Sequence, residues 1–512
     1  MEALPPTRRL GFGARLLADH FEFSAWRPGS LRRRPGRLLN LLTVFVILIT
    51  VARMGIFCGT VPIAGYANNL DFFRQSACVG VWQRYPGSQL IAAHVAGPID
   101  DVIYDGHRDA YYCMRSSDNL FPWAVAHLFG KHAHFGLHDI GLAKVGVSVA
   151  LMIFVLAQPI GAVARLAIAL AFMFVFGDVA VLAYFNTLYV DASGLIFTVI
   201  LVGLIATVAA RRRAPGWGVW GGIASCVVWL GTVKPQYAPL ACVLGLMAAV
   251  IFFALWRDRL RSLALGAVGV LTPALFFALN DSANIMRFVT SVDMTDTVLD
   301  AVLPQASDPA QALRLLGLPP SCRQDIGQNS YNMSAAQREA CPGVGGVSRG
   351  RLVPLFLAQP GTFFRPLAAA VAKAQPSYTA LAHFERPGDA ALWRFRVLYA
   401  TSLSTWLRLL PEAAYASLVW IATVSGVFVL PVIGAFLARA ELSARRPIAR
   451  AAALPLLGGI VCAYAVASSV FGDGYTELAR HAACVLVGVA CFLAGLVQIA
   501  LATLNRLPAR AN

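Results

Sequence analysis

The chain has 512 residues, of which 58% are hydrophobic and 13% charged, and its mean hydropathy is +0.65. A soluble globular domain carries roughly a quarter charged residues, so this composition excludes one and indicates a polytopic membrane protein. The net charge of +16 comes from short basic clusters beside apolar runs, which excludes a nucleic-acid partner and reports membrane topology instead.

In chain order, residues 1–38 read as a cytoplasmic N-terminal segment. Arg8 and Arg9 are present, but no apolar core and cleavage site follow them, so no removable signal peptide is expected. The stretch RRLGFGARLLADHFEFSAW is amphipathic, and both a surface-lying helix and a solvated tail are compatible with it. Apolar windows of about 20 residues then predict spanning helices over Leu39 to Phe57, Ile140 to Leu156, Ala164 to Phe185, Ala192 to Ala210 and Val219 to Val233. Further windows run over Ala238 to Trp256, Leu263 to Leu279, Pro411 to Ala438, Ala451 to Val470 and Ala482 to Leu501. The short alternating segments of a β-barrel are absent. The predicted fold class is an all-α polytopic membrane protein with about ten transmembrane helices and two long external segments.

Arg32, Arg33, Arg34 and Arg37 precede the first span, Arg211 to Arg213 follow the fourth, and Arg257, Arg259 and Arg261 follow the sixth. Arg439, Arg445, Arg446 and Arg450 follow the eighth, and Arg506 and Arg510 come last. All fall on one side of the predicted bundle, which the positive-inside rule makes cytoplasmic. On the other side, residues 58–139 form a connection of about 80 residues and residues 280–410 one of about 130, lengths that mark functional loops or small domains. The predicted organisation is a transmembrane module over 39–279 that includes the first external loop, an external segment over 280–410, and C-terminal transmembrane helices over 411–512.

Most of the ten cysteines sit in apolar spans. Cys78 and Cys113 fall in the first external segment and Cys322 and Cys341 in the second, so two local disulfides are open to the chain in an oxidising compartment. The second segment also contains PGTFFRPLAAAVAKAQ, where Phe363, Phe364, Leu367 and Val371 recur at helical spacing. Such a helix lies at the outer interface or packs on the loop.

A charge in the bilayer costs about 2.5–3.5 kcal/mol on insertion scales, so ionisable residues at the span ends are functional candidates. Four groups arise, all on the external side. NNLDFFRQ holds Asp71, a candidate general base, with Arg74 beside it; a solvated carboxylate paired with Arg74 is the plainer alternative. FGDVAVLAYFNTLYVDASG holds Asp178 within the third span and Asp191 before the fourth, where Asp191 either joins a polar pocket or caps the helix. GTVKPQYAP places Lys234 with Gln236 and Tyr237 at an outer helix end, suited to a phosphate or to snorkelling. FGDGYTELARHAA gathers Asp473, Glu477, Arg480 and His481 at helical spacing, as a site or as a salt-bridged helix start. His132, His134, His138 and Asp139 lack a strong metal-ligand spacing. No Walker loop, dinucleotide fingerprint or nucleophile elbow occurs, so no nucleotide cofactor is indicated and only a divalent metal stays open.

Together these stretches resemble the GT-C superfamily of integral-membrane glycosyltransferases, which use polyprenyl-phosphate-linked sugars. NNLDFFRQ sits where those proteins carry an acidic residue directly after the first span. YFNTLYVDA is similar to an aromatic-Asn-small-aromatic-Tyr turn with an acid in bacterial glycan-biosynthesis hexose transferases, with Asp191 in place of Glu and Leu188 in place of an aromatic. TVKPQY resembles their Lys-containing turn, and FGDGYTELARH their Gly-Asp-Gly turn.

The resemblance implies a membrane glycosyltransferase of the bacterial inner membrane, acting on its external face with inversion at a hexose or pentose. It implies Asp71 and Asp191 as catalytic residues and Lys234, Arg480 and His481 as ligands of the donor phosphate. Arg74, Asn186, Tyr189, Gln236, Tyr237, Asp473 and Glu477 would contact substrate, with no metal ligands assigned. The partners would be a polyprenyl-phosphate-linked sugar, a glycan, lipid or protein acceptor, and the lipid bilayer. The rivals are a polymerase or ligase of lipid-linked glycans, expected to use a basic site without a required carboxylate, and a flippase or transporter of such lipids, expected to line a path through the spans with charge. The two halves show no convincing internal repeat, which weighs against transport.

Overall fold

An apolar run in a hydrocarbon layer must satisfy every backbone group internally, which a continuous helix does. The computed structural model describes residues 35–66, 70–83, 100–211, 213–281, 284–376, 394–429, 431, 450–476 and 478–504. Among them eight helices are long and apolar enough to cross a membrane. In chain order the elements that build the bundle and its site are α1 (Pro35–Gly59), α2 (Leu70–Val79), α3 (Leu120–Phe129), α4 (Leu137–Leu156), α5 (Ala162–Phe176), α6 (Asp191–Ala210) and α7 (Trp217–Gly231). They continue with α8 (Ala238–Trp256), α9 (Arg259–Asn280), α10 (Asn284–Asp296), α11 (Gly361–Lys373), α12 (Glu412–Val424), α13 (Ala453–Asp473) and α14 (Ala483–Leu504). The shorter apolar helices α5 and α7 complete the predicted set of about ten membrane segments. The chain is an all-α multi-pass membrane protein.

α6 is apolar on all sides and its spanning window is buried throughout, as expected of a helix enclosed by others. It packs against α4, α5, α7, α8, α13 and α14. Small residues let the last two approach: a methyl group on Gly458 would lie 2.6 Å from the Gly488 carbonyl oxygen. The predicted eighth span begins as drawn, with α12 running into a π-helical turn at Ser425–Val429, and its further part lies outside the described residues.

The third predicted span is shorter than expected. α5 stops at Phe176, and Asp178, expected within the span, instead caps the short helix Val179–Leu182 by accepting from Ala180 N at 2.9 Å. Its carboxylate also accepts from Ser404 N at 2.7 Å and Ser404 Oγ at 2.6 Å. An Asp offers the backbone an alternative to the helical bond, so the helix breaks here. Residues 183–190 follow without regular structure and are wholly buried.

The first long loop adds a small antiparallel sheet that the sequence did not announce. Val81–Gln83 pairs with Val102–Tyr104, and Val102–Tyr104 with His134–Phe135, with Val81 opposite Tyr104 and Val102 opposite Phe135. Val81, Val102 and Phe135 join Phe72 of α2 and Phe121 of α3 in one apolar cluster. Cys78 is bonded to Cys113. In the second long loop Cys322 is bonded to Cys341 inside a separate cluster that includes Leu299, Leu313 and Leu355. The predicted amphipathic helix is α11, and it packs on α12 and α13. Phe363 stacks on Phe471 at 5.3 Å, Val371 is buried, and Phe364 alone of the four apolar residues is largely exposed.

Three arginines mark the end of the bundle away from Asp191. Arg165 donates to Asn40 Oδ1 at 3.0 Å, Arg211 to Gln158 Oε1 at 3.3 Å, and Arg261 to the Pro215 carbonyl at 2.8 Å while lying over the Trp217 ring. α6 starts at Asp191 and ends at Ala210, so about 30 Å of helix separates Asp191 from this end. The N-terminal amphipathic stretch and Arg439, Arg445 and Arg446 lie outside the described residues.

Candidate functional site at the acidic end of the bundle

Four stretches meet at the Asp191 end. The YFNTLYVDA segment delivers Asp191 as the first residue of α6. The turn after α7 delivers Lys234, closed by Tyr237 N donating to Lys234 O at 2.9 Å, before α8 begins. Lys234 Nζ stands 3.4 Å from Asp191 Oδ1, with both side chains buried, and Tyr237 OH donates to the same oxygen at 3.5 Å. Tyr237 reaches it by crossing α6 at Gly194, where a Cβ would sit 2.1 Å from the tyrosine ring. Only glycine leaves room for that crossing.

α2 brings Arg74 to the same place. Arg74, Met114, Tyr189, Val190, Asp191 and Lys234 line a small cavity. The Arg480 guanidinium lies 5.5 Å from the centre of the Tyr189 ring, a cation–π distance. Arg480 also lines a second cavity, otherwise walled by Tyr66, Tyr184, Ala180, Val181, Ala482, Leu486 and other apolar residues. A charged pocket and an apolar one thus share the Tyr189–Arg480 wall.

α13 packs beside the turn after α7. Tyr464 OH donates to the Gln236 carbonyl at 2.5 Å, and the Gln236 side chain runs beside Gly472. Asp473 is buried at the helix end, followed by Gly474 at φ +60. From the second long loop, α10 brings Asp293 near the same charges. Burial first and Asp473 second push the Asp293 carboxyl well above its usual range, against Arg74, Lys234 and Arg349. Asp296 is raised from 3.8 to about 6, chiefly by burial, although Ser330 N donates to it at 2.5 Å and Ser330 Oγ at 3.0 Å.

Of the residues singled out from sequence, Arg74, Tyr189, Asp191, Lys234 and Arg480 line the two cavities. Tyr237 contacts Asp191, Gln236 contacts Tyr464 and Gly472, and Asp473 is buried at the end of α13; none of the three is in either lining. Asn186 is elsewhere: it is fully buried and its amide donates to the Ala64 carbonyl at 3.0 Å. Asp71 lies in α2, one turn before Gln75, and His481 ends the short helix Leu478–His481; the side chains of both, and Glu477 entirely, lie outside the described residues. In the first loop His134 pairs with Asp101 at 2.9 Å and His138 with Asp100 at 2.7 Å, and no group of three metal-ligating side chains forms among the described residues.

Sequence reasoning passed over Asp293, Asp118 and Lys144. Asp118 and Lys144 are fully buried, 3.6 Å apart. Lys144 had a signal, a single ammonium in the apolar run of α4. Asp118 and Asp293 had none, since only the folded loops bring them to the bundle.

No curated protein and no solved structure matches the chain. Residues 30–506 match the family described as the YfdI N-terminal transmembrane domain. That match runs over most of the sequence, and the chain belongs to the YfdI N-terminal transmembrane domain family.

Proposed function

We propose that this protein is a glycosyltransferase that moves a sugar from a polyprenyl-phosphate donor to a glycan, lipid or protein acceptor at the external face of the bacterial inner membrane. The observation that carries the reading is the meeting of Arg74, Asp191, Lys234 and Tyr189 around one cavity, with Arg480 on the wall shared with an apolar cavity. A lipid phosphate needs that combination: cations for its head and apolar walls for its isoprenoid chain.

In this reading the acceptor hydroxyl oxygen attacks the anomeric carbon and its proton passes to the Asp71 carboxylate. The bond from the anomeric carbon to the phosphate oxygen breaks, and its electron pair leaves on the polyprenyl phosphate. Lys234 and Arg480 stabilise the charge that develops on that oxygen. Asp191, 3.4 Å from the ammonium, holds Lys234 at the cavity wall. Asp71 stands three residues before Arg74 on α2, so the helix that brings a cation to the cavity also carries the base.

The test is transfer by purified protein in liposomes, supplied with a polyprenyl-phosphate sugar and an acceptor glycan. Asp71→Asn is expected to lower kcat by about 10²–10⁴, the usual contribution of a general base. A folded Asp71→Asn variant that transfers sugar at the wild-type rate would sink the assignment.

A further inference from the structure

Asp118 and Lys144 are among the most deeply buried charges of the protein, and neither lines a cavity described above. Asp118 sits in a turn over Ser117–Asn119 and reaches, directly or through that turn, α2, the start of α6 and the turn after α7. Its Oδ2 accepts from Gln75 Nε2 at 2.6 Å, one residue beyond Arg74 on α2. Its Oδ1 accepts from Ser193 Oγ at 2.5 Å, two residues beyond Asp191 on α6. Lys144, its ionic partner, donates to the Thr187 carbonyl at 3.0 Å, two residues before Tyr189. The neighbouring Ser117 N donates to the Thr232 carbonyl at 3.1 Å, two residues before Lys234.

A buried ion pair of this kind stabilises a fold no better than apolar side chains of the same volume would, so stability alone does not account for its presence. What it supplies is directionality: two oxygens and one ammonium with fixed partners on separate elements.

We infer that Asp118, with Lys144, is a positioning residue that locks α2 in register with the start of α6 and thereby sets the Asp71–Arg74 turn against Asp191 and Lys234. Its effect on rate rests on the transfer reading above, whereas its effect on α2 does not. Asp118→Asn would leave the Lys144 charge buried without its counter-ion and is a hazardous variant. Gln75→Met cuts only the link to α2 and keeps the ion pair.

The experiment compares full-length wild type and Gln75→Met by amide hydrogen exchange over residues 70–79 and by donor kinetics. Exchange in α2 should become about tenfold faster with the remainder of the bundle unchanged. kcat should fall about tenfold while donor KM moves less than about twofold. In an Asp71→Asn background the same substitution should cost less than it does in wild type, because the base it positions is gone and only the placement of Arg74 remains. Unchanged exchange over 70–79 in Gln75→Met, or a rate loss that multiplies with that of Asp71→Asn, overturns the inference. Should wild type transfer no sugar, the transfer reading falls and the exchange result alone decides the role of Asp118.

Discussion

Lys234 and Asp191 illustrate how a charge is kept at the edge of an apolar bundle. The ammonium has a carboxylate 3.4 Å away, and that carboxylate has Tyr237 OH as a further donor. Removing the lysine takes away a charged hydrogen-bond partner, worth roughly 1.5–3 kcal/mol, so Lys234→Ala should raise donor KM or lower kcat by about tenfold to a hundredfold. Lys234→Arg should recover part of that loss, and unchanged donor kinetics in a folded Lys234→Ala variant would return the residue to a structural role. Lys234 and Asp191 were legible because a charged residue at the end of an apolar run stands out against its neighbours. Lys144 carries the same signal inside α4, and applying the same rule there points to it. Asp118 is different: it lies in an ordinary polar loop sequence, and its burial is a product of the folded loop. Asn186 is the converse case, a polar residue in a suggestive motif that the chain uses to bind the Ala64 carbonyl.

At the scale of elements, the junction between α10 and α13 joins the second long loop to the bundle. Gly474 has φ +60, and a Cβ there would stand 2.6 Å from the Asp296 carbonyl oxygen. Gly474→Ala should therefore cost about 1–3 kcal/mol in backbone strain and loosen this junction, which thermal unfolding and exchange over residues 294–302 would register. Asp296 adds a pH dependence. An acid whose pKa rises on folding, here from 3.8 to about 6, holds its proton more tightly in the folded state. Its stabilising contribution is complete below about pH 4 and is lost as pH rises to about 6. Asp296→Asn should flatten stability over that interval, as read by denaturation of the two proteins at several pH values. Helix existence was the most legible feature at this scale, because apolar length alone dictates it. The break at Asp178 and the three short strands were not, since each depends on a partner far along the chain: Ser404 for the break, and His134–Phe135 for the strands.

For the molecule as a whole, the distribution of charge sets the architecture. Arg165, Arg211 and Arg261 bind carbonyls and amides at one end of the bundle, while the site residues and both disulfide-bonded loops occupy the other. The disulfides fit an oxidising compartment on the site's side, in line with the orientation proposed from the basic clusters. A membrane-impermeant thiol reagent applied to intact cells should label a cysteine placed at the exposed Tyr331 of the second long loop and spare one placed at Arg259. The opposite pattern would invert the topology.

In the proposed function a lipid-linked sugar phosphate binds where the cations and the apolar cavity meet. An experimental structure of the protein with a polyprenyl-phosphate sugar bound tests it most directly. The phosphate is expected within ion-pair reach of Lys234 and Arg480, the isoprenoid chain against Ala180, Val181 and Leu486, and the sugar facing the Asp71–Arg74 turn. A phosphate bound instead at the end that holds Arg165, Arg211 and Arg261 would overturn the proposed site.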